Sequence, residues 1–246
     1  MKFTIITATY NSSQGLEQCI KSVIGQTYKD IEYIIIDNCS TDNTLDIAKT
    51  YSDQINRIIS EPDKGIFDAL NKGIKIASGD VIGFLHADDF YASPTIIEEV
   101  MLKFEATGAD SVYGDLQYVS KKNPDKLIRN WLAGEFNFKK LSNGWMPPHP
   151  SFFVKRKCYL DYGLFNTNFF IAADYDMILR LLGKFKISIA YLPKVLVKMR
   201  TGGTSNRNLK NIIKKSEEDL KAIKQNGIGG FYTLCVKNIR KLNQFF

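Results

Sequence analysis

Two periodicities run through the first hundred residues. Residues 3–8 (FTIITA) and 31–36 (IEYIII) are short, β-branched and apolar on both faces, the pattern of strands covered on two sides in a parallel sheet. Between them Leu16, Cys19, Ile20, Val23 and Ile24 recur at helical spacing. The polar turn Asn38-Cys39-Ser40-Thr41-Asp42-Asn43 offers several N-caps for a helix over about 44–51. A strand at 55–60 then leads through Glu61-Pro62-Asp63-Lys64-Gly65 into a helix ending near Gly73. Residues 81–85 (VIGFL) form the next strand, and Ser93-Pro94 supplies a cap and an N1 proline for a helix through about 104.

Strand alternating with helix four times predicts an α/β fold with a mostly parallel central sheet flanked by helices. Ligands of such sheets bind outside the carboxyl ends of the strands. The residues that follow the four strands are Thr9-Tyr10-Asn11, Asp37, Asp63-Lys64 and Asp88-Asp89. All four sets should therefore gather along one edge. Beyond residue 110 the pattern loosens into a strand near 111–119, a basic turn at Lys121-Lys122 and aromatic segments around Trp131 and Trp145. A Pro147-Pro148-His149-Pro150 corner, a helix over 174–182 and two strands within 185–199, split at Pro193, follow. The last 40 residues read as two helices separated by Gly227 and Gly229-Gly230.

Composition narrows the class. With 44% hydrophobic and 24% charged residues in 246, the chain reads as a soluble globule rather than a disordered one. No apolar run approaches the ~20 residues of a spanning helix, and the start MKFTIITATYN carries no long apolar core of a secretory signal. Cys19, Cys39, Cys158 and Cys235 form no C-x-x-C pair, which predicts a reduced, cytoplasmic protein. The net charge of +7 belongs to the tail: residues 206–246 hold nine Lys/Arg against three Asp/Glu, and residues 1–205 hold 24 against 23. No zinc-finger spacing or aromatic RNA-binding motif accompanies it, so no nucleic-acid partner is expected.

Several carboxylates could do chemistry. Asp88 and Asp89 at a strand end suit a hard cation, Mg²⁺ or Mn²⁺, that also touches a diphosphate, or one of them caps the next turn. Asp37 can accept hydrogen bonds from a nucleotide base or ribose, or cap a helix. Asp63-Lys64-Gly65 opens a helix whose free N–H groups could hold phosphate or sugar oxygens. Asp174 and Asp176 enter a helix among apolar residues, where one could act as a general base and the other as a cap. His86 and His149, the only histidines, cannot make a zinc site between them. No G-x-S-x-G, Walker A or G-x-G-x-x-G motif is present.

Taken together, these residues resemble the inverting glycosyltransferases of family 2, which have the GT-A fold. The resemblance covers roughly residues 1–205: TATYNS at 7–12, IIDNCSTDNT at 35–44, SEPDKGIFDALNKGI at 60–74 and GDVIGFLHADDFY at 79–91. It continues with PHPSFFVKR at 148–156, AADYDMILRL at 172–181 and GGTS at 202–205. Bacterial enzymes that extend lipid-linked O-antigen or capsule oligosaccharides are the nearest in kind. The resemblance implies a nucleotide-sugar half (1–110) and an acceptor half (111–205), followed by a helical tail. It implies that Thr9, Tyr10, Asn11 and Asp37 hold the nucleoside, a uridine by preference. Asp63, Lys64, Asp68 and Asn71 would line the donor near phosphate and sugar. Asp88 and Asp89 would correspond to the DxD-type metal site, and Asp174 to the catalytic base. Two positions depart from the family: His86 stands where many members carry the first Asp of DxD, and Ala173 where many carry Glu.

On a helix over 231–246, Phe231, Cys235, Ile239, Leu242 and Phe246 fall on one face, with Lys237, Arg240 and Lys241 largely off it. A basic amphipathic helix can lie on an anionic inner leaflet, where a polyprenyl-diphosphate-linked acceptor would be found, or pack on its own domain or on a second copy in a homodimer. Two other activities fit parts of the pattern. A sugar nucleotidyltransferase shares the sheet and the metal, but TATYNSSQG lacks its glycine-rich basic loop. A non-catalytic membrane-surface module would use the tail and leave the four carboxylate sites without a role.

Overall fold

The computed structural model describes residues 1–202 and 209–242. One nine-stranded mixed sheet forms its centre. The first half contributes β1 (Phe3–Thr9), β2 (Ile31–Asp37), β3 (Arg57–Ser60) and β4 (Val81–Phe84), all mutually parallel in the order β3-β2-β1-β4. Helices α1 (Ser13–Ile24), α2 (Thr44–Thr50) and α3 (Ile66–Ile76) connect them. The two-faced apolar pattern is explained by two separate cores. Tyr33 and Ile35 face Leu16, Cys19 and Ile20 of α1, while Ile34 and Ile36 face Leu70 and Ile74 of α3. Gly73 lets α3 lie close on β1, since a Cβ there would meet the Ile6 side chain at 2.5 Å.

The second half continues the same sheet. After a two-residue strand β5 (Phe90–Tyr91) and helix α4 (Ile96–Thr107) come β6 (Ser111–Val119) and β7 (Leu127–Trp131). Then follow α5 (Phe138–Ser142), β8 (Phe152–Lys155), α6 (Arg156–Tyr162), α7 (Ala173–Ile178) and β9 (Ile189–Arg200). Strand β8 inserts antiparallel between β4 and β6, and β9 runs parallel to β6. Sequence periodicity missed β5, β7 and β8, which are too short or too irregular to show a period. Two expectations shift. The segment split at Pro193 is a single strand in which Pro193 and Lys194 are bulged out between Leu192, opposite Gly114, and Val195, opposite Asp115; the proline lacks an N–H for the ladder. The helix after β5 starts at Ile96 with Thr95 as its N-cap, two residues past Ser93.

The helix expected over 174–182 is α7, which runs on as a π-helical turn over Leu179–Lys184. The C-terminal pair is α8 (Leu209–Gln225) and α9 (Phe231–Leu242). Ala222, Ile223, Ile228 and Leu234 join the same apolar cluster as α3 and α7, so these helices complete the core. Lys237, expected among the outward charges, is nearly buried. It pairs with Asp219 at 2.7 Å and lies 3.3 Å from the centre of the Tyr175 ring. The face carrying Phe231 and Ile239 is exposed. The side chains of Leu242 and Phe246, and residues 203–205 of the GGTS stretch, lie outside the described residues. Among those described, no helix is long and apolar enough to cross a membrane.

Candidate functional site

The parallel strands end together, and their polar termini meet as expected. Thr9 closes β1 and Asp37 closes β2 opposite it. Asp37 is fully buried. Its carboxylate accepts from Thr9 Oγ1 (2.9 Å), the Ser40 backbone N–H (2.9 Å), Ser40 Oγ and Ser60 Oγ (2.7 Å). Burial pushes this carboxyl up, yet the hydrogen bonds from Ser40, Ser60 and Thr9 outweigh it and hold the pKa below the ordinary value. Asp37 and Thr9 therefore tie three strand ends together beneath the rim.

Above them lie two loops with left-handed residues, Asn11 (φ 47°) and Cys39 (φ 49°). Asn11 donates its backbone N–H to Ser40 Oγ and accepts from the Thr41 N–H, both at 2.9 Å, which stabilises a conformation costly for most side chains. Asp42 accepts from the Ser13 N–H at the start of α1 (3.2 Å) and from Thr44. Those bonds bring its pKa down to about 2. Tyr10 stands out from the rim, 61% exposed. On the far side Asp63 accepts from the Gly65 N–H (2.7 Å), and Asp68 reaches back to the Lys64 N–H (3.1 Å), leaving the Lys64 side chain in solvent. Burial raises the Asp63 carboxyl.

Asn71 bonds the backbone of Phe165, donating to the carbonyl and accepting from the N–H at 2.9 Å each, and so ties the two halves together.

The expected metal pair is parted in the structure. Asp89 is 2% exposed and accepts from the Arg200 backbone N–H at 3.2 Å; burial holds its carboxyl well above the usual carboxylate range. Asp88 is exposed and lines a cleft of about 310 Å³ with Gln14, Gly15, Lys121, Lys122 and Arg200. Gly15 is required there, because a Cβ would meet Asp88 Oδ1 at 2.7 Å and the Ala87 carbonyl at 2.9 Å. The Arg200 guanidinium donates to the Asp88 carbonyl and to Gln18. Sequence reasoning noted Lys121-Lys122 only as a turn and missed Arg200, whose approach depends on β9 running beside β5 and β6.

Among the described residues no three His, Cys, Asp or Glu side chains form a protein cage for a metal. One open carboxylate does fit Mg²⁺ or Mn²⁺ when a diphosphate supplies further oxygens, because these cations commonly take one or two carboxylates plus substrate phosphates. Asp88 is that carboxylate, and three cations beside it suit a polyanionic ligand.

His86 and His149 lie tilted against each other with ring centres 5.9 Å apart, His149 also lying against Phe84 and Phe165. Burial brings both imidazoles down to about 4. For His86, the neighbouring His149 adds to this while the Asp174 and Asp88 carboxylates oppose it. The pair is neutral at pH 7, and both Asp174 and Asp88 lie near enough to His86 to act on its charge.

Asp174 and Asp176 separate by environment. Asp176 is fully buried, pairs with Arg180 at 3.1 Å, and accepts from Asn226 Nδ2 (2.8 Å) and Gln225. Asp174 is half-buried, and one oxygen accepts from the Tyr175 N–H at 2.7 Å. Of the two, Asp174 has an oxygen left for a ligand.

The family described as Glycosyl transferase family 2 matches residues 4–164. The chain belongs to glycosyltransferase family 2. A PGL/p-HBAD biosynthesis glycosyltransferase of Mycobacterium bovis is 30% identical over 209 residues, covering 83% of this chain and 79% of that protein. Hyaluronan synthase of Pasteurella multocida is 37% identical over 191 residues, covering 74% of this chain and 19% of the synthase. Among solved structures, S. aureus TarS (residues 1–349) superposes with a TM-score of 0.72 at 17% identity, covering 99% of this chain and 72% of that one. The mannosyltransferase PcManGT from Pyrobaculum calidifontis, solved with GDP-Man and Mn²⁺, superposes at 0.66 and 15% identity, covering 91% and 63%. These likenesses establish the GT-A architecture of this family 2 glycosyltransferase.

Proposed function

We propose that this glycosyltransferase moves a hexose from a UDP-sugar to a hydroxyl of a lipid-linked saccharide in bacterial surface polysaccharide synthesis, with inversion at the anomeric carbon. The observation that carries the reading is the cleft at the carboxyl edge, which Asp88 lines together with Lys121, Lys122 and Arg200. A nucleoside diphosphate matches that charge pattern. Support for uridine comes from TarS, which has been solved with UDP and with UDP-GlcNAc. Support for a saccharide acceptor comes from similarity to hyaluronan and chondroitin synthases.

In this reading Tyr10 and Asn11 flank the nucleoside over the Thr9–Asp37 tie. Lys64, Asp63 and Asp68 border the phosphates and sugar, while Lys121, Lys122 and Arg200 neutralise the diphosphate. A Mn²⁺ or Mg²⁺ ion between Asp88 and the diphosphate would supply further charge stabilisation to the leaving group. Asp174 takes the proton from the acceptor hydroxyl as its oxygen attacks the anomeric carbon. The bond from that carbon to the phosphate oxygen breaks, and UDP departs. A single displacement turns an α-linked donor into a β-linked product. General-base help of this kind is worth typically ~10²–10⁴-fold. The exposed Phe231, Tyr232 and Ile239, with Arg240 beside them, would place α9 on the anionic inner leaflet where a lipid-linked acceptor resides.

The test is a panel of nucleotide sugars with Mn²⁺ or EDTA, scored by thermal stabilisation and slow donor hydrolysis. Stabilisation by one UDP-sugar, lost in EDTA, is the expected result. Release of pyrophosphate, or a folded protein that answers no donor, overturns the reading.

A further inference from the structure

The segment carrying Asp174 has no strand of its own to hold it. It leaves α6 through a loop at 163–172 and enters the six-residue α7 with Ala172 at its start. What fixes it comes from the C-terminal helices. Glu218 of α8 accepts three consecutive backbone N–H groups: Phe170 at 3.0 Å on one oxygen, and Ile171 at 2.7 Å and Ala172 at 2.9 Å on the other. Two residues later comes Asp174. Two turns further along α8, Gln225 and the residue that follows the helix, Asn226, hold Asp176. From α9, Lys237 lies over the Tyr175 ring while paired to Asp219. Residues 172, 175 and 176 are thus each gripped by α8 or α9, on either side of Asp174.

Three convergent N–H groups need an anionic acceptor, because a neutral one offers fewer lone pairs and weaker bonds. No ladder partner within the loop could replace it. The Ala173 side chain contributes no polar atom here, so orientation of this turn falls to the distant carboxylate.

We propose that Glu218 is a positioning residue for catalysis: its carboxylate, with the Lys237–Asp219 pair behind Tyr175, clamps the 170–176 turn so that Asp174 is aimed at the acceptor hydroxyl. This rests on Asp174 being the base. The donor side is built from residues 9–88 with Lys121, Lys122 and Arg200, whereas the Glu218 carboxylate bonds the N–H groups of 170–172, so the clamp acts on turnover rather than on donor binding.

The experiment compares E218Q, E218D and D174N, with the E218Q/D174N double variant, in the full chain. E218Q keeps shape but replaces one acceptor oxygen with a donor. It should lower kcat by about 10- to 100-fold, a loss of about 1.4–2.8 kcal/mol in barrier terms, while donor KM and the UDP-induced melting shift stay within twofold. E218D, which keeps the charge, should recover part of the loss. Adding E218Q to D174N should cost nothing further, and amide exchange at 170–172 should speed up in E218Q. Wild-type kcat in E218Q beside an inactive D174N overturns the clamp and leaves the base standing. Normal turnover in D174N instead overturns the base assignment. An equal fall in UDP binding in E218Q shows general destabilisation and also overturns the clamp. If E218Q does not fold, E218D is read by the same kcat-against-KM split.

Discussion

Replacing Asp37 with Ala removes one acceptor shared by four donors at the ends of β1, β2 and β3. Thr9 is buried, so its hydroxyl loses its partner with no water to replace it, at roughly 1–3 kcal/mol. Ser40 and Ser60 reach solvent and rehydrate, each losing roughly 0.5–1.5 kcal/mol net. The sum is about 4 kcal/mol. For a domain of this size each kcal/mol moves the midpoint by about 2–4 °C, so melting should fall by about 8–16 °C. Asp37→Asn, which keeps one oxygen but turns an amide NH₂ toward donors, should fall by less. Calorimetry of both variants with and without UDP at neutral pH reads the effect. A ligand-free midpoint within about 2 °C of wild type, combined with complete loss of the UDP-induced shift, would refute the tie and make Asp37 a ligand contact. The depressed pKa adds a pH signature. Stability from this group is present above the unfolded carboxyl value of about 3.9 and is lost as pH falls through the lower folded value, and the Ala variant should lack that limb.

Three further outcomes are expected. Gly15→Ala places a methyl 2.7 Å from Asp88 Oδ1, and should cost about 1–3 kcal/mol and shrink the Mn²⁺-dependent donor stabilisation; an unchanged Mn²⁺ effect would separate Asp88 from the metal. His149 has a folded pKa near 4 against about 6.5 unfolded, so the unfolded state binds more protons and stability falls as pH drops from 6.5 toward 4, by about 2 kcal/mol for this group. His149→Phe should flatten that part of the melting-against-pH curve, and an unaltered slope would rule the histidine out as its source. Flotation with phosphatidylglycerol vesicles should weaken for the F231S/I239S double variant, whose altered side chains are exposed; full binding would remove α9 from the membrane contact.

The sequence by itself determined the architecture of the first half. Strands covered on both faces write their burial into consecutive apolar residues, and each β-to-α turn places its polar residues at the carboxyl edge. Hence Tyr10, Lys64 and Asp88 could be located on that rim from spacing alone, and the family followed from the motifs. Whether a carboxylate faces ligand or protein was not written there, because Asp88 and Asp89, or Asp174 and Asp176, are chemically identical neighbours. Tertiary contacts alone distinguish them: the Arg200 backbone takes Asp89, and Arg180 with Asn226 takes Asp176. The same holds for β8, whose four residues acquire strand form only between β4 and β6. It holds most for the C-terminal helices. The amphipathic pattern of 231–246 allowed either a membrane face or packing on the domain, yet Lys237, Asp219 and Glu218 turn inward: Lys237 and Asp219 pair with each other, while segments more than 40 residues earlier offer Lys237 an aromatic face and Glu218 three N–H groups.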